Sequence, residues 1–159
     1  MTTRSGYAST TSVPVSRSTA EIEEQVLRFG ATDFARSRSS SGLASVMFTV
    51  QSRTVRFDIQ LPDPKEQQFT HTDKGKPIPQ DQQRRKLEQA ERSAWRELCL
   101  SIKAKLVAVA AGISTFEREF LANVVLPDGT LVGDRIAPVI EAAYKSQQMP
   151  RLLLGSGEK

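Results

Sequence analysis

At 159 residues, with 38% of them hydrophobic, the chain is long enough for one domain and one core. Its 22 Lys and Arg against 18 Asp and Glu leave a net charge of +4, which permits an acidic partner but excludes a polycation. The single cysteine, Cys99, excludes an intrachain disulfide and a thiolate metal site, and so predicts a reducing, intracellular compartment.

Residues 1–17 are rich in Ser and Thr and lack acids, which predicts a disordered tail. Ser18 and Glu21 have capping-box spacing, with Ile22, Val26 and Phe29 on one face before Gly30, so the first helix is expected to start at Ser18. "DFARS" (Asp33–Ser37) reads as a short strand and "RSSSG" (Arg38–Gly42) as a loop. In "LASVMFTVQSRTVRFDIQL" (Leu43–Leu61), two runs alternate in polarity around Gln51-Ser52. Pairing Val50 with Arg53, Phe48 with Val55, Val46 with Phe57 and Ala44 with Ile59 puts every apolar residue on one face, and a one-residue slip destroys that sorting. Gln51-Ser52 offers no Gly or Asn for a primed turn, so a longer connection is expected.

From Pro62 to Pro79 the chain has four prolines and no period, the mark of an exposed loop. A helix of about 48 Å follows over residues 80–111, ended by Gly112. The longest apolar run, "LVAVAAGI" (Leu106–Ile113), is far short of the roughly 20 residues that span a bilayer, so neither a transmembrane helix nor a membrane partner is expected. Ser114 and Glu117 repeat the capping-box spacing and open a helix with Phe116, Phe120, Leu121 and Val124 on one side. "LPDG" (Leu126–Gly129) is a turn. Asp134 then caps a last helix with Pro138 in its first turn and Ile136, Val139, Ile140, Ala143 and Tyr144 inward. After Met149-Pro150, "RLLLGSGEK" reads as a frayed tail, with docking of Leu152–Leu154 on the core as the alternative and 155–159 as a second disordered tail.

Catalytic chemistry needs convergent groups, and few are present. His71, with Asp73 two residues on, reads as a solvated loop histidine. Asp58, Asp63 and Glu66 do not all lie on rigid elements, so no metal site and no cofactor are expected. GxGxxG, P-loop and HExxH motifs are absent. Cys99, beside Trp95 and Ile102, reads as a small buried hydrophobe.

Helical phase identifies the main functional candidate. Trp95, Leu98, Cys99, Ile102, Leu106, Val109 and Ile113 form an apolar arc at 100° per residue. Arg85, Arg92, Arg96 and Lys103 project beside it as a basic stripe, the geometry that follows a phosphate backbone. Lys105 lies across the helix and is expected to snorkel. Arg53, Arg56, Lys74 and Lys76 are added as supporting phosphate contacts, and Phe69 as the loop residue able to stack on a base.

The segments "VPVSRSTAEIEEQVLRFGATDF", "RTVRFDIQLPDP", "FTHTDKGKP", "AWRELCLSIKAKLVAVAAGISTFEREFLANVVLPDG" and "IAPVIEAAYKSQQMP" resemble, in that order, a family of small uncharacterised proteins of bacteriophages, prophages and actinobacterial mobile elements. The resemblance spans roughly Val13 to Leu154 and implies a phage or prophage setting, in the cytoplasm of a bacterial host. More distantly, a helix, two or three antiparallel strands and a long helix are similar in order to phage single-strand annealing proteins, which lack a required counterpart to the helices after Gly112.

The expected fold is α+β: a two- or three-stranded antiparallel sheet packed on the long helix with three shorter helices, in one domain over residues 18–154. The expected function is a non-enzymatic nucleic-acid-binding accessory protein of phage recombination or replication, binding or annealing single-stranded DNA, with a homo-oligomer as its assembly. The alternative is a protein-interaction module, an inhibitor or adaptor of a host or phage enzyme.

Overall fold

The sorting of apolar residues onto one face dictates the sheet. The computed structural model describes residues 7–150. It contains β1 (Asp33–Arg38), β2 (Leu43–Val50) and β3 (Arg53–Gln60) in the order β1-β2-β3, with both pairings antiparallel. Val50 opposes Arg53, Phe48 opposes Val55, Val46 opposes Phe57 and Ala44 opposes Ile59, the register that polarity requires. The connection is nevertheless two residues long. Gln51 and Ser52 take φ of 49° and 63°, the left-handed pair of a primed turn. The twist of the two strands imposes that geometry without the Gly or Asn that usually relieves it.

Ala44, Val46, Phe48, Val50, Val55, Phe57 and Leu61 are buried under two helices, α1 (Val15–Phe29) and α3 (Gln80–Ala110). The α1 helix starts three residues earlier than expected, after Pro14, whose extended backbone stands at the cap position. Ser18 is therefore inside the helix and fully buried, and the Ser18–Glu21 capping box does not form. A small residue at 18, in line with Ile22 and Val26, lets α1 sit close to α3. Gly30 ends the helix at φ 107°, as its position predicts. The described part of the expected tail is held in place as well: Ala8 is buried, and the Gln89 side-chain amide donates to the carbonyls of Ser9 (3.1 Å) and Thr11 (2.8 Å).

The Pro62–Pro79 stretch contains one helical turn, α2 (Gln67–Thr70), which buries Phe69, while Ile78 is buried nearby. Phe69 is thus a packing residue and offers no stacking platform. After α3, Gly112 takes φ 71° and the next helix, α4 (Phe116–Phe120), is capped by Thr115 rather than Ser114, with Thr115 Oγ1 accepting from the Arg118 amide. It is only five residues long and continues as a 3-10 helix, Leu121–Asn123. Phe120 meets Phe48 and Phe57 edge-on at 6.0 and 6.1 Å, and Phe116 stacks on Phe120 at 4.7 Å. Val124 bridges Val55, and the Val125 amide donates to the Thr54 carbonyl at 2.8 Å, so the chain closes part of the β3 edge.

The last helix, α5 (Val132–Ser146), begins after Leu131 and not at Asp134, which lies in its first turn. Pro138 accordingly falls in the second turn, where it withholds a donor from the Asp134 carbonyl. The inward packing expected of Ile136, Val139, Ile140, Ala143 and Tyr144 is not found, because α5 has no buried residue. The docking alternative for Leu152–Leu154 lies outside the described residues.

The turn is the clearest site for a stabilising change. Gln51→Asn/Ser52→Gly should raise stability by about 1 kcal/mol, because Asn-Gly adopts both left-handed conformations at less cost. Urea denaturation checks it, with the midpoint rising at constant slope.

Candidate functional site

Helix α3 buries most of the arc that its periodicity marks out: Trp95, Leu98, Cys99, Ile102 and Leu106 face the core and Val109 packs half-buried against it, whereas Ile113 lies beyond the helix end and is exposed. The basic stripe beside that arc does not remain an open surface. Helix α1 lies along it and presents Glu21, whose carboxylate accepts from Arg96 at 2.5 Å and stands 3.7 Å from Lys103 Nζ. The Arg96 hydrogen bond holds the Glu21 carboxyl below its ordinary range, and Glu21 in turn raises Arg96. Arg92 is half-buried and donates within its own helix to Gln89 Oε1 at 2.7 Å. Arg85, one end of the stripe, is exposed and has no ion pair among the described residues.

The supporting cations divide in the same way. Arg53 lies 3.5 Å from Glu117. Arg56 donates to Asp58 at 3.0 Å and to the Gly129 carbonyl at 3.1 Å. Lys74 and Lys76 stand exposed in the loop, without ion pairs among the described residues. Lys105 does not snorkel: its ammonium donates to the Glu119 carbonyl at 2.7 Å and lies 5.8 Å from the Phe120 ring centroid, tying α4 to α3. Of the eight cations, the structure brings together Arg96 and Lys103, and it does so around Glu21.

Burial pushes the Cys99 thiol up, and the nearby Glu21 pushes it further, so the sulfur is a protonated core group. His71 Nδ1 lies 2.9 Å from its neighbour Thr70 Oγ1. Among the described residues, no three His, Cys, Asp or Glu side chains gather in a way that could hold a metal ion. The open face of the sheet holds a concavity of about 380 Å³ lined by Ala35, Ser45, Met47, Arg56 and Asp58 among others. Its polar groups satisfy one another, with Ser45 donating to Asp58 at 2.6 Å on the side opposite Arg56.

The surface that sequence reasoning misses is α5. Its first turn is pressed against the 3-10 helix, so closely that a Cβ on Gly133 would stand 2.9 Å from the Ala122 carbonyl oxygen. Beyond that turn the helix stands clear, leaving Ile140 41% and Tyr144 83% exposed. After Gln147, which takes a left-handed conformation, Gln148, Met149 and Pro150 form one wall of a groove of about 520 Å³. Pro138, Val139, Ala142, Ala143 and Ser146 of α5 form the other. The "LPDG" turn folds the chain back on itself, with Leu131 bridging Val125 just before α5 begins.

No protein-family model, curated protein or solved structure matches the chain.

Glu21 carries the α1–α3 contact electrostatically, and Glu21→Gln should cost about 1–2 kcal/mol at pH 7, the range of a partly buried charged hydrogen bond. Because its carboxyl titrates below the ordinary 4.5, the contribution is complete above that pH and is lost as pH falls through the lowered value. Urea midpoints of the wild type and the variant should therefore converge on acidification from pH 7 to pH 3.

Proposed function

We propose that the protein is a non-catalytic interaction module that docks α5 into an apolar groove of a protein partner, in the phage or prophage setting that the resemblance implies. The observation that carries this is the free apolar face of α5. Ile136, Ile140 and Tyr144 are spaced by four, the anchor pattern of a helix laid in a groove. The outer face pairs Lys145 with Glu141 at 2.6 Å, so it carries no net charge to attract a polyanion. Internal neutralisation of Arg96 and Lys103 by Glu21 supports the same reading, since those two cations already have their partner.

Nucleic-acid binding is the second reading, and it now rests on Arg85, Lys74 and Lys76, those of the eight candidate cations that are exposed and have no ion pair among the described residues. The two readings separate cleanly. A tagged full chain and its Ile140→Asp/Tyr144→Asp variant are each used to capture proteins from host cells, with equal thermal melting as the folding control. The expected outcome is one protein recovered by the wild type and lost by the variant, an affinity drop of at least about tenfold for two apolar anchors. Recovery that ignores the variant sinks the α5 assignment. In parallel, titration of a labelled single-stranded oligonucleotide should show no tight binding at moderate salt. Binding that falls steeply with salt and disappears in Lys74→Glu/Lys76→Glu/Arg85→Glu establishes the nucleic-acid reading instead.

A further inference from the structure

The two edges of the sheet are finished differently. On β3, carbonyls that point away from β2 have partners: Thr54 accepts from the Val125 amide at 2.8 Å, and Arg56 from the Asn123 side-chain amide at 3.2 Å. On β1 they do not. The Ser39 amide donates to the Leu43 carbonyl at 2.8 Å, and following that register back along the strand turns Ser37, Ala35 and Asp33 toward β2. Phe34, Arg36 and Arg38 therefore hold their N–H and C=O groups outward, and those groups have no hydrogen-bond partner among the described residues. The strand is exposed apart from the half-buried Phe34. Its two cations differ as well. Arg38 donates to Glu91 at 2.7 Å, whereas Arg36 donates to the neutral Thr19 hydroxyl at 3.0 Å and has no acidic partner among the described residues.

We propose that the β1 edge takes an extended, acidic segment of another protein as an added strand, with a carboxylate opposite Arg36. A strand laid antiparallel there exchanges a pair of hydrogen bonds with each of Phe34, Arg36 and Arg38. Its side chains opposite those residues fall on the core side of the sheet, so a carboxylate meets Arg36 and an apolar side chain meets Phe34. A second copy of this chain fits less well. The symmetric pairing that engages all three residues sets Arg36 against Arg36 of the other copy, a like-charge pair. Sliding the copies one way sets Arg36 against Arg38. Sliding them the other way sets Arg38 against Thr32, whose amide is already given to the Thr49 carbonyl at 2.9 Å. Charge on this edge thus discourages self-pairing and selects an acidic strand. The contact involves neither α5 nor its partner, and it stands or falls separately.

The test is an NMR titration of the isotope-labelled full chain with the peptide Thr-Thr-Glu-Val-Ile-Lys, carried into the millimolar range. Laid antiparallel, this peptide sets its Glu opposite Arg36 and its Ile opposite Phe34. The amides of Phe34, Arg36 and Arg38 are expected to shift and to exchange with solvent several-fold more slowly, while exchange at Ala35 and Ser37, already bonded to β2, stays unchanged. A peptide with Lys in place of Glu should bind about fivefold more weakly, the cost of turning a cross-strand attraction into a repulsion. Arg36→Glu should invert the order of the two peptides, and that inversion also shows that the variant is folded. If the variant does not fold, the comparison of the two peptides on the wild type decides alone. Equal binding of both peptides to the wild type, or no response at the three outward amides, overturns the proposal. Shifts of those same amides with protein concentration, in the absence of peptide, assign the edge to a second copy and overturn it too.

Discussion

The structure depends on a sheet that is apolar on one face only. Once β2 and β3 pair as their alternation demands, Ala44, Val46, Phe48, Val50, Val55 and Phe57 must be covered, and nearly every other element is placed by that need. Helix α3 supplies Trp95, Leu98, Cys99, Ile102 and Leu106, α1 supplies Ile22 and Val26, and Phe116 and Phe120 fill the remaining end. The edge of β1 is tied down in a different way. On its core side, Arg36 donates to Thr19 of α1 at 3.0 Å and Arg38 to Glu91 of α3 at 2.7 Å. Long cationic side chains thus span the gap that apolar ones leave at the margin of the layer.

That same cover consumes the basic stripe. A helix of α1's length has to lie beside α3 to complete the layer, and the ground beside the apolar arc is where Arg92, Arg96 and Lys103 project. Leaving those cations against a purely apolar helix would strand charge in a partly dry interface. Glu21 resolves this for Arg96 and Lys103 with one carboxylate, while Arg92 turns to Gln89 of its own helix, and the lowered titration of Glu21 reflects the Arg96 hydrogen bond. Cation spacing on one helix says nothing of which second helix will lie along it. Pairing between Glu21 and Arg96, 75 positions apart, is a tertiary fact.

Legibility in the sequence follows the same division. The hairpin register was readable because period-two alternation admits only one sorted pairing. Both the extent of α3 and its buried arc were readable because they repeat over many turns. Caps were not: Ser18, Ser114 and Asp134 have the right side chains for the role, yet the helices start at Val15, Phe116 and Val132. A capping residue stabilises an end by only about 1 kcal/mol, less than burying a face well, so tertiary packing moves the boundary. In the same way Gln51-Ser52 accepts left-handed backbone that its composition disfavours, because the strands on either side gain more from a tight turn.

The α5 helix shows the limit of periodicity as a guide to function. An apolar stripe at Ile136, Val139, Ile140, Ala143 and Tyr144 reports that a face is to be covered and carries no information about what covers it. Here the sheet, α1, α3 and α4 already close on one another, and the "LPDG" turn followed by the close Gly133–Ala122 approach leaves α5 attached by its first turn. Its stripe is therefore surplus to the core. A helix that leaves Tyr144 83% exposed gains little by folding against its own domain, and the free energy of burying that ring remains available for binding.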